Sequence, residues 1–124
     1  MVEERIFVGV ARVQLGIPGA RSLKDRRQNI RSVADRMRHK FSVTVNEVGG
    51  SDYPGRQVLA LTTAGNDSRL IRSILDRCVA LASGSGRVLV ESVDVDVFRW
   101  QADLRRWADD SMDEYGSATE DGDE

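Results

Sequence analysis

The run Phe7 to Lys40, FVGVARVQLGIPGARSLKDRRQNIRSVADRMRHK, leaves the backbone fewer choices than any other stretch of the chain. An apolar strand enters a Pro-Gly turn, and the turn feeds a strongly basic helix. Ile6 to about Leu15 is rich in β-branched residues and apolar on both faces, which suits a central strand. Gly16-Ile17-Pro18-Gly19 stops it. Ser22 then caps the helix, and Asp25, three residues on, completes a capping-box-like signature. Leu23, Ile30, Val33, Ala34, Met37 and Phe41 fall within about a third of a turn of one another and form its buried stripe.

The rest of the chain repeats this alternation of periods. Val43 to Val48 alternates apolar and polar residues, Val58 to Thr63 is a second strand, and the Gly/Ser/Asp/Pro-rich segment 49–55 joins them as a hairpin loop. Asn66 or Asp67 caps a second helix, where Leu70, Ile71, Ile74, Leu75, Cys78 and Val79 recur at helical spacing. Gly84-Ser85-Gly86 ends it. Val88 to Phe98 is a long last strand with Leu89, Val93, Val95 and Val97 on its buried side. Glu91 breaks the alternation as a bulge would. The order β-α-β-β-α-β predicts a ferredoxin-like α+β fold, with a four-stranded antiparallel sheet and two helices on one face. From the helices, Leu23, Ile30, Val33, Met37, Ile71, Ile74, Leu75 and Cys78 are the expected core. Residues 1–99 make this domain. Residues 100–111 read as a short C-terminal helix, on which Trp100 and Trp107, seven apart, share a face that packs on the domain or on a partner, docking on the domain being the more common outcome. Residues 112–124 have almost no apolar content and read as a disordered acidic tail.

A chain of 124 residues can bury a core of useful size without disulfides. Its net charge of −2 hides an asymmetry. Residues 1–40 carry ten Lys/Arg against four Asp/Glu, whereas residues 103–124 carry two against nine. A basic half with an acidic tail fits a protein that meets an anionic partner; it equally fits a domain with a solubilising tail. No apolar run approaches the ~20 residues of a membrane span, and no leader pattern precedes the first strand. The single cysteine, Cys78, sits in an apolar helical pattern, so a reduced, cytoplasmic protein is expected.

Lys24, Arg27, Arg31 and Arg38 fall within about 60° of one another on the first helix. They form one stripe beside the buried face, with Arg26 on the opposite flank and Arg36 and Lys40 further out. Such a stripe suits a phosphate backbone, because Arg offers bidentate contacts to phosphate. A solvated face with local pairing to Asp35 is the plainer account. No aromatic interleaves the cations, so base-specific reading is not suggested. Gly16, Gly19 and the helix N-terminus, with Arg21 at the mouth, offer N–H groups and positive charge to an anion. A turn that uses Gly and Pro for conformation alone explains the same residues. Alternation assigns Thr44, Asn46, Thr62, Ser92, Asp94 and Asp96 to the uncovered sheet face. That composition argues against bases stacking there and leaves a polar dimer contact or solvent. His39, near a helix end, is explained by the helix dipole. No nucleophile–base pair, metal-ligand cluster or nucleotide motif occurs, so no catalytic residue, metal or cofactor is assigned and no enzymatic activity is expected.

Two resemblances bear on function. Arg12-Val13-Gln14-Leu15-Gly16-Ile17, followed by Arg21, resembles the phosphate-binding stretch of acylphosphatases, which share this topology. That resemblance implies an acyl phosphate hydrolase built on Arg21 and the Gly16–Gly19 loop. Pro18 and the spacing to Arg21 depart from the pattern, and no asparagine is placed to orient the attacking water. The longer resemblance runs through Phe7-Val8-Gly9-Val10 and Ile17-Pro18-Gly19-Ala20-Arg21-Ser22-Leu23-Lys24. It continues at Phe41-Ser42-Val43-Thr44-Val45, at Glu47-Val48 and at Asn66-Asp67. Over residues 6–98 the chain resembles the YlxP-like family of small bacterial proteins of unknown function. In the hairpin loop only Asp52 and Arg56 persist from the family pattern. The resemblance implies a ferredoxin-like fold. Through gene neighbourhoods rich in translation and ribosome maturation, it also implies a ribosome- or RNA-linked role. The expectation is therefore a non-enzymatic protein that binds ribosomal or other structured RNA through Arg21, Lys24, Arg27, Arg31 and Arg38. The alternatives are a protein-interaction or homodimerisation module and an acylphosphatase-like hydrolase.

Overall fold

A period of two in the first strand sends Ala11, Val13 and Leu15 to one side, all with no exposed surface, and Val10, Arg12 and Gln14 to the other. The computed structural model describes residues 4–19, 21–50 and 56–101. Its elements are β1 (Ile6–Gly16), α1 (Leu23–Lys40), β2 (Thr44–Gly49), β3 (Arg56–Gly65), α2 (Ser68–Ser83) and β4 (Leu89–Trp100). The four strands form one antiparallel sheet in the order β2-β3-β1-β4. β1 is central, paired to β3 on one side and β4 on the other, as its apolar composition requires. The arrangement is ferredoxin-like.

Local chemistry sets the helix ends. The Ser22 hydroxyl accepts from the Asp25 N–H at 3.1 Å and starts α1. The Asp67 carboxylate accepts from the N–H groups of Arg69 and Leu70 at 3.0 and 3.3 Å and starts α2. Each bond satisfies a donor that the helix leaves unpaired at its N-terminus. The positive φ of Gly19, 85°, carries the chain through the turn between β1 and α1.

Both helices pack on the same side of the sheet. Val33 and Met37 from α1, Ile71, Leu75 and Cys78 from α2, and Val13, Leu15, Leu59 and Leu61 from β1 and β3 join in one buried cluster. α2 approaches β1 closely at Gly9, where a Cβ would stand 2.4 Å from Ile71 Cγ2 and 2.9 Å from Leu75 Cδ1. No side chain larger than hydrogen fits at that crossing.

Three expectations are corrected. Leu23 is 52% exposed, because the buried stripe of α1 begins only at Ile30 and the first turn stands clear of the sheet. Leu89 is also exposed, at 57%. The bulge at Glu91 is present as a register shift opposite Gln14 and Leu15, and it turns the strand over: Val90 faces the core beside Leu15, and Leu89 faces outward. The last strand also continues two residues past Phe98, so Trp100 ends β4 rather than opening a helix. The remainder of that expected helix, residues 102–111, and the tail 112–124 lie outside the described residues.

Candidate nucleic-acid interface

The basic residues of α1 divide between two flanks of the helix. One flank looks over the edge strand β2. Arg38 there donates from Nη2 to the Val45 carbonyl at 2.6 Å and from Nη1 to the Asp35 carboxylate at 2.9 Å. It ties the last turn of α1 to the sheet edge, and both guanidinium ends are committed. Arg38 thus serves the fold first. Lys24, Arg27 and Arg31, further along the same flank, are exposed and make no ion pair with a described residue.

The other flank faces α2. Asn29 accepts from Arg87 Nη1 at 3.3 Å near the start of this seam. Towards its far end Arg36 and Lys40 of α1 meet Arg77 of α2 around a groove of about 530 Å³, floored by Phe41, Ala80, Leu81 and Gly84. The Lys40 ammonium sits 6.0 Å from the Phe41 ring centroid. Arg77 continues into a second groove of about 510 Å³ on the outer side of α2, shared with Arg69, Arg72, Ser73, Asp76 and Ala80. Arg36, Lys40, Arg69, Arg72 and Arg77 make no ion pair with a described residue. Over α1 and α2 together, ten Lys/Arg stand against Asp25, Asp35 and Asp76. Clustered cations without local counter-charge repel one another, and a polyanion relieves that repulsion.

Arg36, Lys40 and Arg77 were not singled out in the sequence. The wheel of α1 puts Arg36 and Lys40 away from the main stripe, and nothing in one helix's sequence tells which neighbour its flank will face. The signal that was available is the Arg69, Arg72, Arg77 spacing in α2.

The turn before α1 places a carboxylate beside one of its glycines. Gly16 lies beneath the Glu91 side chain, whose Oε2 would be 2.6 Å from a Cβ there. A carboxylate in that position repels an incoming anion. Gly19 has open space around it, and Arg21 is exposed. Glu91 is itself engaged by Gln14 Nε2 at 2.9 Å and Arg56 Nε at 3.3 Å.

The uncovered sheet face has two halves. In one, Arg12 bonds to Ser92 and Gln14, each at 3.3 Å, and pairs with Asp94 at 3.7 Å. Thr44 of β2 and Thr62 of β3 share a hydroxyl contact. Thr44, Asn46, Thr62, Ser92, Asp94 and Asp96 take the side that alternation assigned to them. The other half was not foreseen. Ile6 lies opposite Trp100 and Val8 opposite Phe98, and these residues line the same open face.

Cys78 is fully buried, and burial pushes its thiol up to about 11. It is protonated at neutral pH and serves as core. Among the described residues no group of three or more His, Cys, Asp and Glu is placed to hold a metal ion. No described helix is long and apolar enough to cross a membrane.

A family model described as "Protein of unknown function (DUF503)" matches residues 8–95. No curated protein matches the chain. Among solved structures, the chain is similar to a C-terminal segment of the alpha subunit of aIF2 from Pyrococcus abyssi, at 14% identity and a TM-score of 0.43. That match covers 82% of this chain and 55% of the other, so the chain spans about half of its length. Rv0793 from Mycobacterium tuberculosis is similar at 19% identity and a TM-score of 0.41, covering 80% of this chain and 98% of that one.

Proposed function

We propose that this chain, which belongs to the DUF503 family of proteins of unknown function, is a non-enzymatic protein that docks onto the phosphate backbone of structured RNA through its helix layer. Within that family, the runs Phe7–Val10 and Ile17–Lys24 support a place among its bacterial, YlxP-like members, and with it a ribosomal RNA as the partner. The observation that carries the reading is the groove between α1 and α2, lined by Arg36, Lys40 and Arg77. Cations from two elements converge there without carboxylate partners among the described residues. Arg69 and Arg72 extend the positive surface along α2, and Lys24, Arg27 and Arg31 form a second row on the outer flank of α1. Arg38 is left out, since its guanidinium already holds the β2 edge. Arg21 stands at the start of the second row.

The contacts are to phosphate and not to bases, because among the described residues the only aromatic ring in the groove, Phe41, is half-buried beside Lys40. Affinity then follows counterion release. With four to five phosphates engaged, the log–log dependence of binding on salt has a slope of roughly −3 to −4. Titration of a hairpin RNA across salt concentrations measures it. The pair Arg36→Ala and Arg77→Ala lowers the slope by about two units and weakens all sequences alike. Arg27→Ala with Arg31→Ala reports the second row in the same way. A slope near zero, or one that neither pair alters, would overturn the reading.

A further inference from the structure

One end of the open sheet face carries two exposed rings beside a cationic cleft. Phe98 and Trp100, each 43% exposed, stand two residues apart on β4 and so share one side of it. Trp100 belongs to the strand, and that is what puts a second ring on this face. On the central strand the pair meets Val8 and Ile6. Val8 also lines a cleft of about 760 Å³, where the connection between α1 and β2 passes β3. That volume lies within the ~300–1,000 Å³ of ordinary ligand clefts. Ser42, Thr44 and Thr62 line it with hydroxyls, and His39 and Lys40 bring nitrogen donors from the last turn of α1. Lys40 and Phe41 line the groove between α1 and α2 as well. These shared residues join the helix layer, past β3, to the two rings.

We infer that this end of the open face stacks the bases of an unpaired RNA segment on Phe98 and Trp100, with the phosphates passing through the cleft beside Lys40. The first argument is the rings. Sheet-face readers of single-stranded RNA stack two or three bases on neighbouring aromatics, because every base has a flat π-face. Phe98 and Trp100 offer two such rings side by side. The second argument is charge. Asp96, two residues before Phe98 on the same side of β4, makes no ion pair with a described residue and repels phosphate. The RNA backbone is thereby turned from the acidic half of the face towards β3. That strand lies two strand spacings from β4, about 10 Å, and there the hydroxyls and Lys40 receive the backbone. The inference deepens the reading of the helix layer by naming its RNA, a duplex that ends in an unpaired tail. It rests on that reading for the duplex part alone.

The test uses the full chain with Trp107→Phe, which leaves Trp100 as the only indole. Its probes are a blunt hairpin RNA, the same hairpin with a short unpaired tail, and the tail strand alone. The tailed hairpin should quench Trp100 emission and the blunt one should not. The tail should tighten binding by about tenfold or more. Phe98→Leu and Trp100→Leu keep apolar bulk on the sheet and remove the ring faces. Each should weaken tailed binding by about fivefold and leave blunt binding unchanged. A tail that leaves Trp100 unquenched, or a gain in affinity that survives both leucines, overturns the inference. Quenching by the tail strand alone, with a blunt hairpin that fails to bind, supports it while removing the helix-layer reading. A dimer mass by light scattering, with Trp100 emission that shifts to the red on dilution in the absence of RNA, overturns it and assigns the rings to a second copy.

Discussion

Gly9 and Arg38 show how single residues hold positions that no surface view reveals. At Gly9 the missing side chain is what lets α2 lie on β1. The atom a Cβ would strike first is Ile71 Cγ2, at 2.4 Å, and it is fixed to a branched Cβ with little freedom to move. Gly9→Ala should therefore destabilise the fold by about 1–3 kcal/mol, the usual cost of overpacking. Denaturant unfolding measures it. Combining it with Ile71→Ala, which removes the struck methyl, should cost less than the sum of the two single changes. A fully additive pair would mean that the two residues do not share this contact. Gly9 was legible as one residue of the run that carries the family resemblance, but its packing role was not. A close approach between residues 62 positions apart is a property of packing and leaves no trace in local pattern.

Among the elements, α1 carries the sharpest lesson. Its helical period, its Ser22 cap and its buried stripe were all readable, because each depends on residues within two turns of one another. The neighbours of its flanks were not. A wheel orders residues around the axis but does not say that one flank meets β2 and the other α2. Arg38 illustrates the consequence. Grouped with Lys24, Arg27 and Arg31 by angle, it is instead a tie between α1 and the Val45 carbonyl. Arg38→Ala should lower stability by about 1 kcal/mol, since the tie is a charged hydrogen bond with a partly exposed ion pair. It should leave the salt slope of RNA binding nearly unchanged. A loss of slope equal to that of Arg27→Ala would return Arg38 to the binding surface. β4 gives the matching case in a strand. Alternation alone put Leu89 inside, and one extra residue, Glu91, reversed every face assignment beyond it.

Across the molecule, charge is sorted by layer. The helix side is strongly basic, whereas β4 presents Glu91, Asp94 and Asp96 on the open side. Residues 112–124 add six further acids and no base. On the proposed reading, these acids compete with RNA for the helix layer at low ionic strength. Deleting residues 112–124 should tighten RNA binding at low salt, and the gain should fade as salt screens the tail. A gain that persists at high salt would point to a contact other than a charge-based one. What could be read without coordinates was whatever depends on near neighbours in the chain: helix and strand periods, both caps, the turn, the bulge residue and the charge of each segment. The period-two and period-3.6 patterns also imply the four-stranded sheet with its two helices, because few other arrangements bury all those stripes at once. The meeting of Arg36, Lys40 and Arg77 was decided only on folding, as were the committed state of Arg38, the Glu91 carboxylate over Gly16 and the apolar corner made by Ile6, Val8, Phe98 and Trp100. Each depends on which element lies beside which, and that is set by the packing of the whole core.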